Sequence, residues 1–124
     1  MALVVDDNRI NLDLIDFLLK EEGFQVIAVS RPEDALRVLD QFTPDLFVLD
    51  VQLPGMSGLD LLRTLRTRPD TGKSCAVIVT SYAMETDKQK AFAAGCDAYF
   101  TKPVDTRTFG AEVRLIFNRI VGRV

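Results

Sequence analysis

The 124-residue chain has no histidine and no tryptophan, and it has two cysteines, Cys75 and Cys96. Without an imidazole there is no Ser-His-Asp triad, no His-ligated zinc, no imidazole general base and no phosphohistidine on this chain. Two cysteines this far apart are too few for a zinc cluster or a secreted disulfide framework, and they read as buried fillers. Long apolar runs are missing as well: the stretches Leu46 to Leu49 and Ala76 to Val79 fall far short of the ~18 residues of a membrane span. The opening Met1-Ala2-Leu3-Val4-Val5 reaches acid at Asp6 with no basic n-region, so no signal peptide is expected and the setting reads as cytoplasmic, away from membranes. Nor is there excess positive charge. Fifteen Lys plus Arg against 18 Asp plus Glu give a net charge of −3, which argues against a direct nucleic-acid surface.

What is present is ordinary globular composition, 48% hydrophobic and 27% charged, in a chain long enough to bury roughly two-thirds of its unfolded surface without staples. One domain over residues 1–124 is expected. Apolar runs of strand length alternate five times with segments of helical period. The strand candidates are Ala2 to Val5, Phe24 to Val29, Asp45 to Leu49, Ala76 to Thr80 and Asp97 to Phe100. Their near-continuous Val, Ile, Leu and Phe content is how strands read when helices cover both faces, which predicts a parallel sheet.

The first helix is predicted from about Asn8 to Glu22, with Ile10, Leu14, Phe17 and Leu18 facing inward and Gly23 as its stop. The second opens at Pro32 and carries Ala35, Leu36 and Leu39 inward before Pro44. Ser57 caps the third, whose Leu59, Leu62 and Leu65 face the sheet and which stops before Pro69. The fourth spans about Glu85 to Ala94 and ends at Gly95; Asp105 caps the fifth, where Phe109, Val113, Ile116, Phe117 and Ile120 recur at helical spacing. Gly110 weakens that helix by about 1 kcal/mol relative to alanine, and Arg107, Arg114, Arg119 and Arg123 give it a basic, solvated face.

Right-handed crossovers turn such a (βα)5 chain into an open, doubly wound α/β sandwich of the flavodoxin-like kind. With strand order 2-1-3-4-5, the crevice lies at the carboxyl ends of strands 1 and 3. Polar residues sit at those ends. Asp6-Asp7 follow strand 1, Asp50 follows strand 3, Thr80-Ser81 end strand 4, and Lys102-Pro103 come just after strand 5. An acid after a strand can be a simple helix cap, which accounts for Asp7 alone; it does not account for Asp50, which precedes the loop Gln52-Leu53-Pro54-Gly55-Met56. Converging carboxylates repel unless protonated or bridged by a cation, and oxygen-only donors favour a hard divalent ion such as Mg²⁺.

In VVDDN (Val4 to Asn8), LFVLDVQLPGMSGLDLL (Leu46 to Leu62), VIVTSYA (Val77 to Ala83) and GCDAYFTKPV (Gly95 to Val104), the chain resembles the receiver domain of two-component response regulators, of the chemotaxis-regulator type. The resemblance covers essentially the whole chain. It implies that Asp50 is the phosphoacceptor, attacking the phosphorus of a phosphohistidine on a sensor histidine kinase or histidine phosphotransfer protein to give an aspartyl phosphate. It makes Asp7, Asp50 and the main-chain carbonyl of Gln52 the Mg²⁺ ligands, with Asp6 acting through water. Lys102 is implied to pair with Asp50 or a phosphoryl oxygen, Thr80 to bond the phosphoryl group, and Pro103 to follow a cis peptide bond. Tyr99 corresponds to an aromatic that changes rotamer on activation, coupling the site to the face of helix 4, strand 5 and helix 5. That face would meet a downstream protein, an output domain or a second copy in a homodimer. Gln52 and Tyr82 correspond to positions that tune dephosphorylation, although Tyr82 is equally read as an exposed contact aromatic.

The chemistry agrees with these roles. Phosphoryl transfer places charge on three equatorial oxygens and calls for a cation, a fixed ammonium and donors. Two other readings stand beside this one. A haloacid-dehalogenase-type phosphatase also uses a strand-end Asp with Mg²⁺, but it typically has a second Asp two residues later, where this chain has Gln52. A pseudo-receiver working without phosphate would not require the full set Asp6, Asp7, Asp50, Thr80 and Lys102. The expectation is therefore a phosphoprotein switch in signal transduction, not an enzyme with turnover.

Overall fold

The computed structural model describes residues 1–121. Five strands alternate with five helices: β1 (Ala2–Val5), α1 (Arg9–Glu21), β2 (Val26–Val29), α2 (Pro32–Val38), β3 (Leu46–Leu49), α3 (Gly58–Thr67), β4 (Cys75–Thr80), α4 (Glu85–Ala94), β5 (Ala98–Thr101) and α5 (Phe109–Ile120). All strand pairs are parallel and the order is β2-β1-β3-β4-β5. The doubly wound flavodoxin-like sandwich expected from the apolar runs is the observed fold. The central strands β1, β3 and β4 are buried along their whole length, as sheets covered on both faces require.

Side-chain alternation along the strands sorts the core into two halves. Ala2, Val4, Leu46, Val48, Val77 and Val79 face α1 and α5, while Leu3, Val5, Phe47, Leu49, Ala76 and Ile78 face α2, α3 and α4. Caps follow the sequence in part. Asn8 caps α1 by accepting from Asn11 N, Ser57 caps α3 by accepting from Leu59 N, and Gly95, at φ 111°, ends α4. Asp105 instead caps a turn ahead of α5, its Oδ1 accepting from Arg107 N, so the helix itself starts at Phe109. α2 ends at Val38, well before Pro44, and Leu61, with Leu59 only partly covered, joins Leu62 and Leu65 in the face α3 buries.

The inward face of α1 differs from the one its spacing predicts. Leu12, Ile15, Leu18 and Leu19 are buried, while Ile10 is 83% and Phe17 59% exposed. Apolar residues cover a broad arc of the helix opposite Arg9, Asp13, Asp16 and Lys20, so overlapping stripes satisfy the i, i+3, i+4 rule; Leu14 and Leu18 pack on the core as expected, but the packed arc is centred on Leu12, Ile15 and Leu19. Gly110 has a packing reason. A Cβ there would stand 3.0 Å from Glu22 Cγ and 3.2 Å from the Leu18 carbonyl oxygen, so glycine lets α5 close onto the end of α1. Arg114 is not a solvated residue. Its guanidinium lies 3.9 Å from the Phe24 ring centroid and donates to the Glu22 carbonyl at 2.7 Å, closing the C-terminus of α1. Arg123 lies outside the described residues.

Candidate functional site

Register brings the acids together. Val5 pairs with Leu49 across β1 and β3, so Asp6 and Asp50 are the next residues on adjacent strands, and Asp50 N donates to the Val5 carbonyl at 3.0 Å. They continue the parity of Val4 and Val48, the side covered by α1 and α5. Both carboxylates are buried, Asp6 at 2% and Asp50 at 4% exposure, whereas Asp7 is exposed at the mouth. Carboxylate oxygens of Asp6, Asp7 and Asp50 lie within 4.8 Å of one another.

One ammonium serves the two buried acids. Lys102 Nζ stands 2.7 Å from Asp50 Oδ2 and 3.0 Å from Asp6 Oδ2. Burial disfavours the charged lysine, but the hydrogen bonds and charges of Asp50 and Asp6 outweigh it and raise its pKa above the ordinary lysine value. The lysine is carried to this point by the strand ends, with Lys102 N donating to the Thr80 carbonyl at 2.8 Å. The Lys102–Pro103 bond is cis.

The remaining lone pairs are met locally. Asp50 Oδ1 accepts from Gln52 N at 3.1 Å, and Asp6 Oδ1 accepts from Asn8 N at 2.9 Å. Asp6 Oδ2 also accepts from the Asn11 side-chain amide. Asn8 and Asn11 were not singled out by the sequence reading as site residues. The signal was present in an Asn cap followed three positions later by a second Asn, a weak helix former, inside the first turn. Gly58 was missed too. A Cβ at that position would fall 1.8 Å from the Asp50 carbonyl oxygen, so only glycine lets the start of α3 lie against the backbone that carries Asp50.

On the β4 side, Thr80 is fully buried and its hydroxyl accepts from Tyr82 N at 3.3 Å. Tyr99 packs against the α2–α4 half of the core, and its hydroxyl donates to the Tyr82 carbonyl at 2.6 Å. Tyr82 itself is exposed, and so is Gln52. Cys75 and Cys96 are both buried and free, and they belong to different halves of the core. Burial, with the charge of Asp97 added, pushes each thiol up to about 12.

Three carboxylates against one ammonium leave excess negative charge, two of the acids are out of water, and every side-chain donor offered is oxygen. That set suits a hard divalent cation such as Mg²⁺ and does not suit a thiophilic metal. Fold and site together define a doubly wound α/β protein with an acidic, lysine-bridged crevice at the switch point of its sheet. The chain belongs to the response regulator receiver domain family, whose profile matches residues 2–114. It is 34% identical over 119 residues to the phosphate regulon transcriptional regulatory protein PhoB of Rhizobium meliloti (96% of this chain, 52% of that protein). It is 31% identical over 108 residues to the polar-differentiation response regulator DivK of Brucella anthropi, covering 87% of this chain and 88% of that protein. The receiver domain of a sensor histidine kinase from Pseudomonas aeruginosa PAO1, solved with a magnesium ion coordinated in its active site cleft, superposes with a TM-score of 0.82 at 26% identity, covering 98% of this chain and 97% of that one. The chain spans about half the length of the PhoB relative. Among the described residues no helix is long and apolar enough to cross a membrane.

Proposed function

We propose that the chain, as one domain, is a phosphorylation-dependent switch that takes a phosphoryl group onto Asp50 from a phosphohistidine of a sensor histidine kinase or histidine phosphotransfer protein in the cytoplasm. The observation that carries this reading is the Lys102 bridge, 2.7 Å from Asp50 Oδ2, inside a carboxylate cluster spanning 4.8 Å. An oxygen of the Asp50 carboxylate forms the new P–O bond. The P–N bond of the donor breaks and its electron pair stays on the ring nitrogen. Asp6, Asp7, Asp50 and the Gln52 main-chain carbonyl are the groups that would hold Mg²⁺, which when bound supplies neutralisation of the charge on the phosphoryl oxygens.

The chain's own residues do the rest. Lys102 donates to a phosphoryl oxygen once Asp50 is modified, and the Thr80 hydroxyl turns from Tyr82 N toward the new acceptors. That movement pulls on the segment Thr80–Tyr82, to which Tyr99 is tied by its hydroxyl. Modification of Asp50 thereby biases the packing of α4, β5 and α5, a population shift on a surface read by a downstream protein, an output domain or a second copy. Gln52 and Tyr82, at the rim, regulate the approach of the water that removes the phosphoryl group, so the chain assists its own dephosphorylation without acting as a turnover enzyme.

The test is incubation with acetyl phosphate and Mg²⁺, followed by intact-mass analysis. One added phosphoryl group in the wild type and none in Asp50→Ala supports the reading. An unmodified wild type, or modification that persists in Asp50→Ala, refutes it.

A further inference from the structure

Asp6 is the most buried acid of the crevice, at 2% exposure, and three donors address it. Asn8 N holds Oδ1, while Lys102 Nζ and the Asn11 amide both hold Oδ2. The two donors on Oδ2 differ in kind. Lys102 is shared with Asp50, to which it is closer, 2.7 Å against 3.0 Å, and any group added at Asp50 competes for it. Asn11 bonds no acceptor of the cluster other than Asp6, and being uncharged it orients the carboxylate without cancelling the negative charge that attracts a cation. Its position is set independently, because its backbone N–H is fixed by the Asn8 cap at 3.0 Å.

From this geometry we infer that Asn11 is a positioning residue. It holds the Asp6 carboxylate in its cation-facing orientation and keeps it there when Lys102 is drawn to a phosphorylated Asp50. This rests on the metal reading above and extends it to a residue outside the acidic cluster. Partners of this kind, which orient a metal-directed carboxylate from behind, typically change metal affinity by 10- to 100-fold when removed.

The experiment is calorimetric titration of Mg²⁺ into the wild type, Asn11→Ala and Asn11→Gln, with thermal denaturation of each in metal-free buffer. Alanine retains the backbone N–H that the Asn8 cap uses and is a better helix former than asparagine, so the substitution leaves the helix and its cap intact and removes only the side-chain bond to Asp6. The expected result is Mg²⁺ binding weakened on the order of 10-fold in Asn11→Ala, most of that loss recovered in Asn11→Gln, and a metal-free melting temperature close to wild type. Unchanged affinity in Asn11→Ala overturns the role of Asn11, as does a fall in melting temperature with affinity intact. A wild type that binds no Mg²⁺ overturns the metal reading and the Asn11 role together. Proton exchange of the Asn11 side-chain amide, measured by NMR on the wild type, needs no variant: slow exchange supports the bond to Asp6, and exchange as fast as that of an exposed amide overturns it.

Discussion

Lys102 Nζ donates to Asp50 Oδ2 at 2.7 Å across a sequence separation of 52 residues, and the same nitrogen reaches Asp6 at 3.0 Å. The pairing joins the loop after β5 to the ends of β1 and β3. It also lets two buried carboxylates stand on adjacent strands, since either acid without a counter-charge would bear a desolvation penalty of several kcal/mol. The lysine is therefore the counter-charge that lets both buried acids stand side by side.

Its raised pKa fixes the sign of one pH effect. Below the ordinary lysine value near 10.4 the ammonium is present in folded and unfolded chains alike, and its contribution to stability is complete. As pH rises past that value and through the higher folded one, the bonds to Asp50 and Asp6 are lost and stability falls. Urea melts over the alkaline range should show a steeper decline in the wild type than in Lys102→Met. Acylation by an amine reagent at mildly alkaline pH, followed by peptide mass mapping, should modify Lys102 more slowly than the exposed Lys73 and Lys90.

Gly58→Ala places a methyl group 1.8 Å from the Asp50 carbonyl oxygen. No rotamer relieves a clash between Cβ and backbone, so α3 must shift away from β3 at a cost of about 3 kcal/mol or more. Chemical denaturation measures the loss. Beryllofluoride binding, followed by NMR, should weaken along with it because the displaced backbone carries Asp50. A variant of wild-type stability would contradict the close approach.

Tyr99→Phe keeps the ring in the core and removes only the hydroxyl bond to the Tyr82 carbonyl. The expected cost is about 1 kcal/mol. Hydrogen exchange should accelerate through Tyr82 to Met84, whereas phosphorylation of Asp50 by acetyl phosphate should proceed as in the wild type, because the lost bond lies beyond the reacting atoms. Unchanged exchange in that segment would break the link between Tyr99 and the end of β4.

Thiols held up to about 12 are protonated at neutral pH and poor nucleophiles. Iodoacetamide should leave both cysteines unmodified in the native chain and alkylate both in denaturant, read by intact mass. Diamide treatment should produce no intramolecular disulfide, since Cys75 and Cys96 pack in separate halves of the core.

Strand blocks were legible because their signal is local. Four consecutive apolar residues at 2–5 and again at 46–49 describe a strand covered on both faces, and Ser57, Gly95 and Pro69 mark helix limits from their own backbone chemistry. That Asp6, Asp7, Asp50 and Lys102 lie together at strand ends was readable for the same reason once the strand order was assumed. β2 was overextended to Phe24, an apolar residue that packs edge-on against Phe117 instead of joining the ladder. The separate packing of the two cysteines was not legible either, since adjacency of strands 4 and 5 does not reveal which face each thiol takes.

Local composition and spacing thus settle which segments extend, which coil and some of their limits, because propensity, capping and turn chemistry act over a few residues. Which stripe of α1 turns inward, which glycines allow backbones to touch, and that Asn11 meets Asp6 while Lys102 spans two acids were decided by packing and strand register. These are relations between residues distant in the chain, and a periodicity that overlapping stripes of one helix satisfy cannot choose between them.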